Sequence, residues 1–469
     1  MKKYLFILGS NWHLSLAELD NVLNNSSFKG RIKDYSANIA VVEFDELDEK
    51  KYYINRLMEL QFILGGIQKI AKIYDFIPFR TIQEAFPSKI ENFNMVKKTR
   101  KRILLNLTAV LEKIFKRIKN ENIFYAVSIY PNFFDEQYYK NVLVKHFLPF
   151  LNTEIMKILK EKGASKSLYY QYPEKYIKSG NLNPIFPHHL ITYGLFNKDR
   201  AEIIFGFTEE GVYIARTYTS DDPNFKKKID EKRPFKDFKS SIPPKLAIMM
   251  LNFLNLFEKR EEKKILDPFV GYGTIALFAH LQGFQVYGSD IDPQKVESTI
   301  RNLKWLINDL KEPSPLLLDA RFKKSEINAL SKNFEENFFD GICTEPFLGP
   351  YYTKKPYYID GIELIEEQLD PQFEAFFREA YMILKPRCRI CITTPIISTL
   401  DGGDVQIDIK KHAMEHNFKT IPMINKKRIV NKSNIKLQFR KQHIRNIIDA
   451  KKGQIFKRKI HVFEKNSSE

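Results

Sequence analysis

The chain has 469 residues, more than one hydrophobic core usually serves, so two or three domains are expected. Hydrophobic residues make up 43% of it and include 38 phenylalanines, which excludes a disordered chain. The 75 Lys and Arg residues oppose 57 Asp and Glu residues, and the formal charge of +18 favours a polyanionic partner, either nucleic acid or an anionic membrane surface.

The cysteines and the N-terminus predict a cytoplasmic protein without a disulfide framework. Three cysteines are too few for such a framework, and the CxxC pair Cys388 and Cys391 lacks the second pair that a zinc site needs. The apolar run in residues 1–9 is too short for a signal peptide, and no stretch reaches the length of a membrane span. No acid or cysteine is spaced to complete a site with His188 and His189, so no metal is expected.

The first half of the chain mixes strand and helix patterns. Strand 3–8, helix 15–23 and strand 39–44 predict a small α+β unit over residues 1–60. The patterns continue over residues 61–205 and include a basic helix near 97–119, a strand at 123–130 and a hairpin of 201–207 with 211–217. A polar, charged stretch with Pro223 and Pro234 predicts a linker, placed at residues 206–241.

The second half, residues 242–469, alternates helices with short apolar strands. This alternation predicts an open parallel sheet covered on both faces, and such sheets bind ligands at the carboxyl ends of their strands. The predicted helices are 244–257, 274–282 and 293–307, and the predicted strands are 264–267, 285–290, 315–319, 340–344 and 388–394.

A glycine-rich turn follows the first of these strands, in Asp267-Pro-Phe-Val-Gly-Tyr-Gly-Thr274. Gly271 and Gly273 allow a tight turn and a close approach of the backbone to a ligand. Asp290 is predicted to end the next strand, where its carboxylate would accept hydrogen bonds from both hydroxyls of a ribose. Asp319 is predicted to end the third strand and to meet an adenine amino group.

Two cofactors compete for this turn. Gly271-x-Gly273-x-x-Ala276, with an acid some twenty residues on, also satisfies the dinucleotide-binding pattern. However, Asp267 places a carboxylate beside the glycines, where it would repel a pyrophosphate and attract the ammonium group of a methionine moiety. The turn therefore favours S-adenosylmethionine over a nicotinamide dinucleotide.

The fourth strand of the second half leads into Thr344-Glu-Pro-Phe-Leu-Gly-Pro350. A carboxylate at a strand end, followed by proline, suits chemistry on an exocyclic amine. Glu345 and a carbonyl near Pro346 can accept the amine hydrogens, and Phe347 can stack on an extruded base. These three residues are the predicted catalytic group.

These motifs resemble those of the THUMP-domain tRNA guanine-N2 methyltransferases. The resemblance is carried by residues 267–274, 288–292 and 340–346, by residues 233–237 and 242–247 before them, and by residues 4–9 and 14–19. It implies an α/β fold in which ferredoxin-like and THUMP domains of α+β type precede a Rossmann-like class I methyltransferase domain. It also implies that S-adenosylmethionine is bound by Asp267, Phe269, Gly271, Gly273, Asp290 and Asp319.

One departure leaves alternatives open. The family's fourth motif is usually Asp-Pro-Pro-Tyr, whereas Glu345, Pro346, Phe347 and Leu348 stand here. The longer carboxylate moves by about one methylene, and catalysis is sensitive to displacements of about 1 Å. The alternatives are an amino-methyltransferase that acts on another base, such as adenine, or on ribosomal RNA, and a catalytically silent RNA-binding relative.

Basic residues cluster in three segments. Residues 426–465 hold fourteen Lys and Arg against two acids, and further clusters lie at 97–102 and 226–228. Dispersed clusters of this kind predict phosphate contacts, which supply affinity without sequence information. RNA, and tRNA in particular, is the partner that the resemblance implies, and the sequence leaves the oligomeric state open.

Overall fold

The fold is known from a computed structural model, which describes residues 2–44, 52–132, 138–171, 185–237, 241–313, 318–440, 444–451 and 453–467. Within these ranges, the chain forms two sheets, each packed against helices. The first half of the chain builds one sheet and the second half builds the other, so the predicted mixed α/β architecture is confirmed.

The first sheet confirms the strands predicted at 3–8, 39–44 and 123–130 and the predicted hairpin. Its strands are β1 (Lys2–Leu8), β2 (Gly30–Tyr35), β3 (Ile39–Phe44), β4 (Ile67–Pro78), β5 (Asn122–Tyr130), β6 (Lys166–Tyr169), β7 (Arg200–Phe207) and β8 (Gly211–Ser220). Their order is β2-β3-β1-β4-β8-β7-β5-β6, and β5 runs parallel to β6 and β7 while the other pairs are antiparallel.

The helices of the first half cover this sheet with their apolar sides. They are α1 (Trp12–Asn25), α2 (Tyr52–Ile63), α3 (Phe79–Ala85), α4 (Phe93–Ile114), α5 (Leu148–Glu161, continuing a π-helical stretch at Tyr139–Phe147) and α6 (Pro187–Thr192). In α4, predicted near 97–119, buried residues such as Ile103, Leu107 and Val110 recur at helical spacing while the lysines are exposed.

The predicted division at residue 60 falls inside α2. Strand β4 follows that helix and pairs with β1 on one side and β8 on the other, so the two N-terminal units share one continuous sheet. Residues 2–78 have the element order β-α-β-β-α-β. The sequence pattern missed the last helix and strand of this unit because its α2 is only weakly amphipathic.

The segment predicted as a linker, 206–241, is largely regular structure. It contains the end of β7, the whole of β8 and helix α7 (Pro223–Lys232), and residues 238–240 lie outside the described part of the chain. Asp222 caps α7 by accepting hydrogen bonds from the N–H groups of Asn224 and Phe225. Pro223 therefore stands at the first turn of a helix, where its missing N–H costs nothing, rather than in a loop.

The second sheet is built mainly from parallel strands. They are β9 (Lys264–Asp267), β10 (Gln285–Asp290), β11 (Phe322–Lys324), β12 (Phe339–Thr344), β13 (Leu384–Ser398), β14 (Asp404–Gln406), β15 (Phe418–Thr420), β16 (Ile447–Asp449) and β17 (Phe456–Lys465). The main path is β11-β10-β9-β12-β13-β17-β15, in which β17 is antiparallel to both neighbours; β14 pairs with β13 and β16 with β17.

Seven helices flank the second sheet within the described residues. They are α8 (Pro244–Phe253), α9 (Thr274–Leu281), α10 (Pro293–Asp309), α11 (Leu330–Asn333), α12 (Tyr358–Leu364), α13 (Asp370–Ile383) and α14 (Lys410–Glu415). Each connection between neighbouring parallel strands contains a helix, as parallel pairing requires. Cys388 and Cys391 lie in β13, three residues apart, so the side chains of this CxxC pair point to opposite faces of the sheet.

Buried polar contacts join the two halves. The carboxylate of Glu18 in α1 accepts hydrogen bonds from the N–H groups of Gly65 and Gly66 and from the side-chain amide of Asn252 in α8. Asp34 in β2 forms a buried ion pair with Lys432. In the part of the chain that the structure describes, no helix is long and apolar enough to cross a membrane.

Replacing Asp34 by Ala should destabilise the junction between the halves by about 3–5 kcal/mol, because it leaves the ammonium group of Lys432 buried without its partner. Asp34 also accepts hydrogen bonds from the N–H of Tyr35 and the hydroxyl of Tyr213. Urea unfolding followed through the fluorescence of Trp12, in a Trp305→Phe background, measures the change.

The matched control is Glu43→Ala, which removes a carboxylate paired with Lys33, a side chain that is 44% exposed. That pair should contribute less than about 1 kcal/mol because water screens it. The double variant Asp34→Ala/Lys432→Met should recover part of the lost stability. Equal effects of Asp34→Ala and Glu43→Ala would contradict the structural role of the buried pair.

Candidate active site

Three parallel strands end side by side at one edge of the second sheet. In the register, Asp267 of β9 lies opposite Gly288 of β10, and Leu266 lies opposite Ile342 of β12. The chain leaves these strands at Asp267, Asp290 and Thr344. Parallel pairing therefore brings Asp267, Asp290 and the residues after Thr344 to one edge of the sheet.

Asp267 is buried beneath the glycine-rich turn, with 3% of its surface exposed. Its Oδ1 accepts hydrogen bonds from Thr344 Oγ1 at 2.6 Å and from the N–H of Phe269 at 3.2 Å. Burial raises the pKa of Asp267 to about 7, and the nearby carboxylates of Asp290 and Glu345 add to this effect, although the two hydrogen bonds oppose it. The carboxyl group is therefore poised to respond to a cation placed beside it.

The turn itself depends on Gly271 and Gly273, whose φ angles are +52° and +80°. A Cβ on Gly273 would lie 2.7 Å from Thr299 Cγ2, whereas a Cβ on Gly271 would meet no atom nearer than 4.0 Å. Thr299 also donates from Oγ1 to the carbonyl of Gly271 at 2.7 Å. Gly273 is thus required by packing, while the open space over Gly271 is a cradle that a side chain would fill.

Asp290 closes the other side of this cradle. One of its oxygens accepts the N–H of Gly271 at 3.0 Å, and the other accepts the N–H of Asp292 at 3.1 Å. Each carboxylate oxygen has two acceptor positions, so both oxygens keep one for a ligand's hydroxyl groups. This geometry fits a ribose, as the sequence predicted, and a glycine turn between two carboxylates does not suit a pyrophosphate.

The segment at residues 233–237, which precedes the second sheet, packs against the glycine-rich turn. The guanidinium group of Arg233 is buried and donates to Thr274 Oγ1 at 2.8 Å. Asn302 in α10 bridges this segment to the turn by donating to the carbonyls of Phe235 at 2.7 Å and Tyr272 at 2.9 Å. The polar stretch at residues 233–237 is therefore part of the site.

The predicted placement of Asp319 at the end of a strand is wrong. Asp319 begins a short 3-10 turn (Asp319–Arg321), its side chain is 63% exposed, and it pairs with Lys304 at 2.8 Å. The third strand is β11, which starts at Phe322, and the residue that follows it is Ser325, whose N–H donates to the carbonyl of Asp290. The apolar run before Asp319 suggested a strand at 315–319, of which residues 315–317 lie outside the described ranges.

Glu345 leaves β12 beside Asp267, as predicted, but its carboxylate is engaged. Arg458 of β17 donates from Nε to Oε2 at 2.6 Å and from a second guanidinium nitrogen to Oε1 at 2.9 Å. Thr393 donates to Oε2 at 3.3 Å. Local sequence patterns do not predict this ion pair, because Arg458 lies 113 positions away within the basic segment 426–465.

The residues after Glu345 differ in exposure. Pro346 is buried, and Phe347 has 48% of its surface exposed, so its ring is available for stacking. Tyr352, a little further along, stacks on Phe456 with ring centres 5.6 Å apart and planes at 4°. Phe269, predicted as a cofactor contact, packs with its ring toward Phe376 in the core at the base of the turn.

Many side chains of the predicted basic clusters form ion pairs or hydrogen bonds within the chain. In the cluster 226–228, the three lysines pair with Asp221, Glu231 and Asp309. In the segment 426–465, Lys432 pairs with Asp34 and Lys457 with Asp404, while Lys465 donates to two carbonyls. These cations already have partners within the chain, so the charge counted along the sequence overstates the surface available for phosphate contacts.

A cavity of about 1210 Å³ lies in the first half, against α7, α8 and α9, and its lining includes none of the strand-end residues. Apolar side chains such as Met58, Phe62 and Phe196 line it together with charged ones of both signs. The cations are Lys113, Lys116, Arg117, Lys198, Arg216 and Lys226, and the acids are Glu121, Asp199, Asp221 and Asp222. Arg216 donates to backbone carbonyls. The sequence did not predict this cavity, because its lining comes from separate segments.

His188 and His189 lie at the start of α6 with their rings 4.0 Å apart, and the N–H of Phe186 donates to His189 Nδ1. Over the ranges that the structure describes, no three His, Cys, Asp or Glu side chains are grouped so as to hold a metal ion.

Comparison with known proteins gives relatives of one kind. The chain is 29% identical over 149 residues to the tRNA (guanine(10)-N2)-dimethyltransferase of Pyrococcus abyssi, a match that covers 32% of this chain and 40% of that protein. It is 41% identical over 81 residues to the protein of the same name from Methanothermobacter thermautotrophicus, covering 17% and 23%. The resemblance predicted from the motifs is thereby confirmed.

The matches leave much of each protein uncovered, since the chain spans less than half of the length of either relative. No family model matches the chain. The solved structure of TrmN from Thermus thermophilus aligns over 99% of both chains, with 14% identity and a TM-score of 0.49.

Replacing Gly273 by Ala should destabilise the second sheet more than the same change at Gly453. Both glycines have φ near +80°, but a Cβ on Gly453 would meet no atom within 4 Å. The shared left-handed conformation costs about 1–2 kcal/mol for alanine, and the contact with Thr299 should add about 1–3 kcal/mol at Gly273 alone. Urea unfolding followed through Trp305, in a Trp12→Phe background, gives both values, and equal losses would refute the packing role of Gly273.

Proposed function

We propose that this protein is an S-adenosylmethionine-dependent methyltransferase that modifies the exocyclic N2 amine of a guanosine in tRNA. The observation that carries the proposal is the set of carboxylates at the ends of three adjacent parallel strands, Asp267, Asp290 and Glu345, around an open glycine cradle. The proposed reaction and the proposed base follow from the sequence relatives, which are named tRNA (guanine(10)-N2)-dimethyltransferases.

The cofactor would lie along the edge formed by these strand ends. Gly271 offers the open cradle, and Asp290 keeps acceptor positions for two ribose hydroxyls. Asp267, buried under the turn, would meet the ammonium group of the methionine moiety. Ser325, which takes the strand-end position predicted for Asp319, would lie beside the adenine. When bound, the cofactor supplies a methyl group on a sulfonium, which is already activated for transfer to nitrogen.

Glu345 and Phe347 would then handle the base. The carboxylate of Glu345 and a carbonyl of the Glu345-Pro346 segment would accept the N–H hydrogens of the amine and direct its lone pair toward the methyl group. Phe347, half exposed, would stack on the extruded guanine. The nitrogen gains the methyl group and then releases one proton, which solvent can accept, so neither a strong base nor a covalent intermediate is needed.

The first half would hold the RNA. We propose that residues 2–78, with their β-α-β-β-α-β order, form the ferredoxin-like unit, and that the rest of the first sheet belongs to a THUMP domain. The exposed cations at the cavity, Lys113, Lys116, Arg117 and Lys198, would contact phosphates. The three free cysteines agree with a cytoplasmic protein that works on tRNA.

Incubating the protein with unmodified tRNA and labelled S-adenosylmethionine should place the label in N2-methylated guanosine, as seen by mass analysis of nucleosides. Replacing Glu345 by Gln should lower the rate by at least about 100-fold, because one acceptor oxygen becomes a donor that opposes the amine hydrogens. Cofactor binding, measured by calorimetry, should be retained.

Other outcomes separate the alternatives. Label in N6-methyladenosine would overturn the assignment of guanine, and label only in ribosomal RNA would overturn tRNA. Binding of tRNA without detectable binding of the cofactor would support a catalytically silent relative. Unchanged turnover by Glu345→Gln would refute the catalytic role of this carboxylate.

Cofactor binding should strengthen as pH rises through about 7. The raised pKa of Asp267 means that its carboxyl group is mostly neutral at pH 6 and mostly ionised at pH 8. If the ionised form attracts the ligand's ammonium group, the affinity for S-adenosylhomocysteine should increase about tenfold over this interval. Calorimetric titrations at several pH values, within the range in which the protein stays folded, measure the change.

Asp267→Asn should bind more weakly and lose most of this pH dependence. Asp319→Asn is the matched control: it changes an exposed carboxylate outside the cradle and should leave both the affinity and its pH dependence as in the wild type. A wild-type affinity that is flat between pH 6 and 8 would show that Asp267 does not face the ammonium group.

A further inference from the structure

The carboxylate at the end of β12 and a guanidinium group on the last strand form a two-pronged ion pair. The two bonds from Arg458 to Glu345 measure 2.6 and 2.9 Å. The side chains are only 13% and 9% exposed. Pairs of this geometry are among the stronger hydrogen-bonded contacts in proteins and fix the plane of the carboxylate.

This ion pair leaves Glu345 able to accept further hydrogen bonds. Each carboxylate oxygen has two acceptor positions, and the guanidinium group uses one on each. Thr393 donates a weaker bond to Oε2. The acceptor position that remains on Oε1 is therefore held in a defined direction, since the arginine fixes the carboxylate on its other side.

The face of β17 that carries Arg458 also contacts the residues that follow Glu345. Phe456 and Arg458 are two residues apart on a strand, so their side chains point to the same face. Phe456 stacks on Tyr352, and its ring is so close to Gly349 that a Cβ there would lie 2.7 Å away. The last strand thus contacts the segment 345–352 at its start, its middle and its end.

We infer that Arg458 is a positioning residue for the proposed methyl transfer, which orients the carboxylate of Glu345 toward the amine that it must hold. The inference rests on the proposed function. Glutamate has one more rotatable bond than aspartate, so a carboxylate at this position needs an external anchor to keep one orientation. Arg458 supplies that anchor from a strand that is fixed by its pairing with β13 and β16.

The surrounding charges explain why the anchor is a cation. Glu345 lies near the carboxyl group of Asp267, and a second carboxylate, Asp449 of β16, acts on Arg458 from the opposite strand. Burial alone would lower the pKa of Arg458, but the hydrogen bonds and charge of Glu345, with the charge of Asp449, raise it. A buried arginine with carboxylates on two sides remains charged and keeps Glu345 in place.

The test compares Arg458→Met and Arg458→Lys with the wild type in single-turnover and steady-state methyl transfer to tRNA. Arg458→Met should lower kcat by about 100-fold, because the carboxylate loses its orientation. The KM for tRNA and the Kd for S-adenosylhomocysteine should stay within about twofold. Arg458→Lys restores the charge but not the second bond, so it should recover kcat only in part.

Lys457→Met is the matched control. Lys457 precedes Arg458 on the same strand, points to the other face and pairs with Asp404, so its loss removes the same charge without touching Glu345. Its kcat should equal that of the wild type. If kcat of Arg458→Met is unchanged, the inference is overturned. If kcat is higher than in the wild type, the inference is also overturned, because Arg458 would then block Glu345 from the substrate. A loss that appears only in KM would instead indicate an RNA contact.

A second measurement separates this inference from the proposed function. The midpoints of urea unfolding of Glu345→Gln, Arg458→Met and the double variant form a double-mutant cycle. If the ion pair exists, the shift of the double variant should be smaller than the sum of the two single shifts. Absence of methyl transfer by the wild type to any RNA would refute the proposed function, whereas additive shifts would refute the anchoring of Glu345 by Arg458.

Discussion

The parallel pairing of β9 with β10 and β12 is the constraint on which the site depends. Parallel strands end at the same edge of a sheet, so Asp267, Asp290 and Glu345 meet although up to 78 positions separate them in the sequence. None of these carboxylates could be placed by local structure alone. The glycine turn joins the end of β9 to the start of α9, and Gly271 and Gly273 both adopt left-handed φ angles there, +52° and +80°.

The two halves of the molecule are coupled by buried polar groups rather than by a flexible linker. Glu18 binds both the turn that precedes β4 and the helix α8 that precedes β9. Near the candidate active site, the side-chain amide of Asn11, which caps α1, donates to Asp449 at 3.2 Å, and Asp449 in turn acts on Arg458. A substrate held by the first half would therefore be presented to the second half in a fixed geometry.

The sequence predicted much of the second half because its patterns are local. The strands at 264–267, 285–290 and 340–344 each contain buried apolar residues, and the glycines of the turn have backbone angles that few other residues adopt. The third strand was predicted at the wrong position because β11 is a short edge strand with the sequence Phe-Lys-Lys, which has no alternating apolar pattern. The division predicted at residue 60 falls inside α2, and the following strand β4 pairs with β1 on one side and β8 on the other.

Ion pairs between residues far apart in the sequence could not be predicted from local patterns. They also reduce the number of cations that are available to bind phosphates. Counted along the chain, the segment 426–465 looks like a surface for phosphates, but Lys432, Lys457 and Arg458 each face a carboxylate from a distant segment. A cation whose charge is used inside the fold cannot also release counterions from RNA. Among the described residues, Lys113, Lys116 and Arg117 at the cavity of the first half are exposed and form no such ion pair, so the proposed phosphate contacts suit that cavity better than the C-terminal strands.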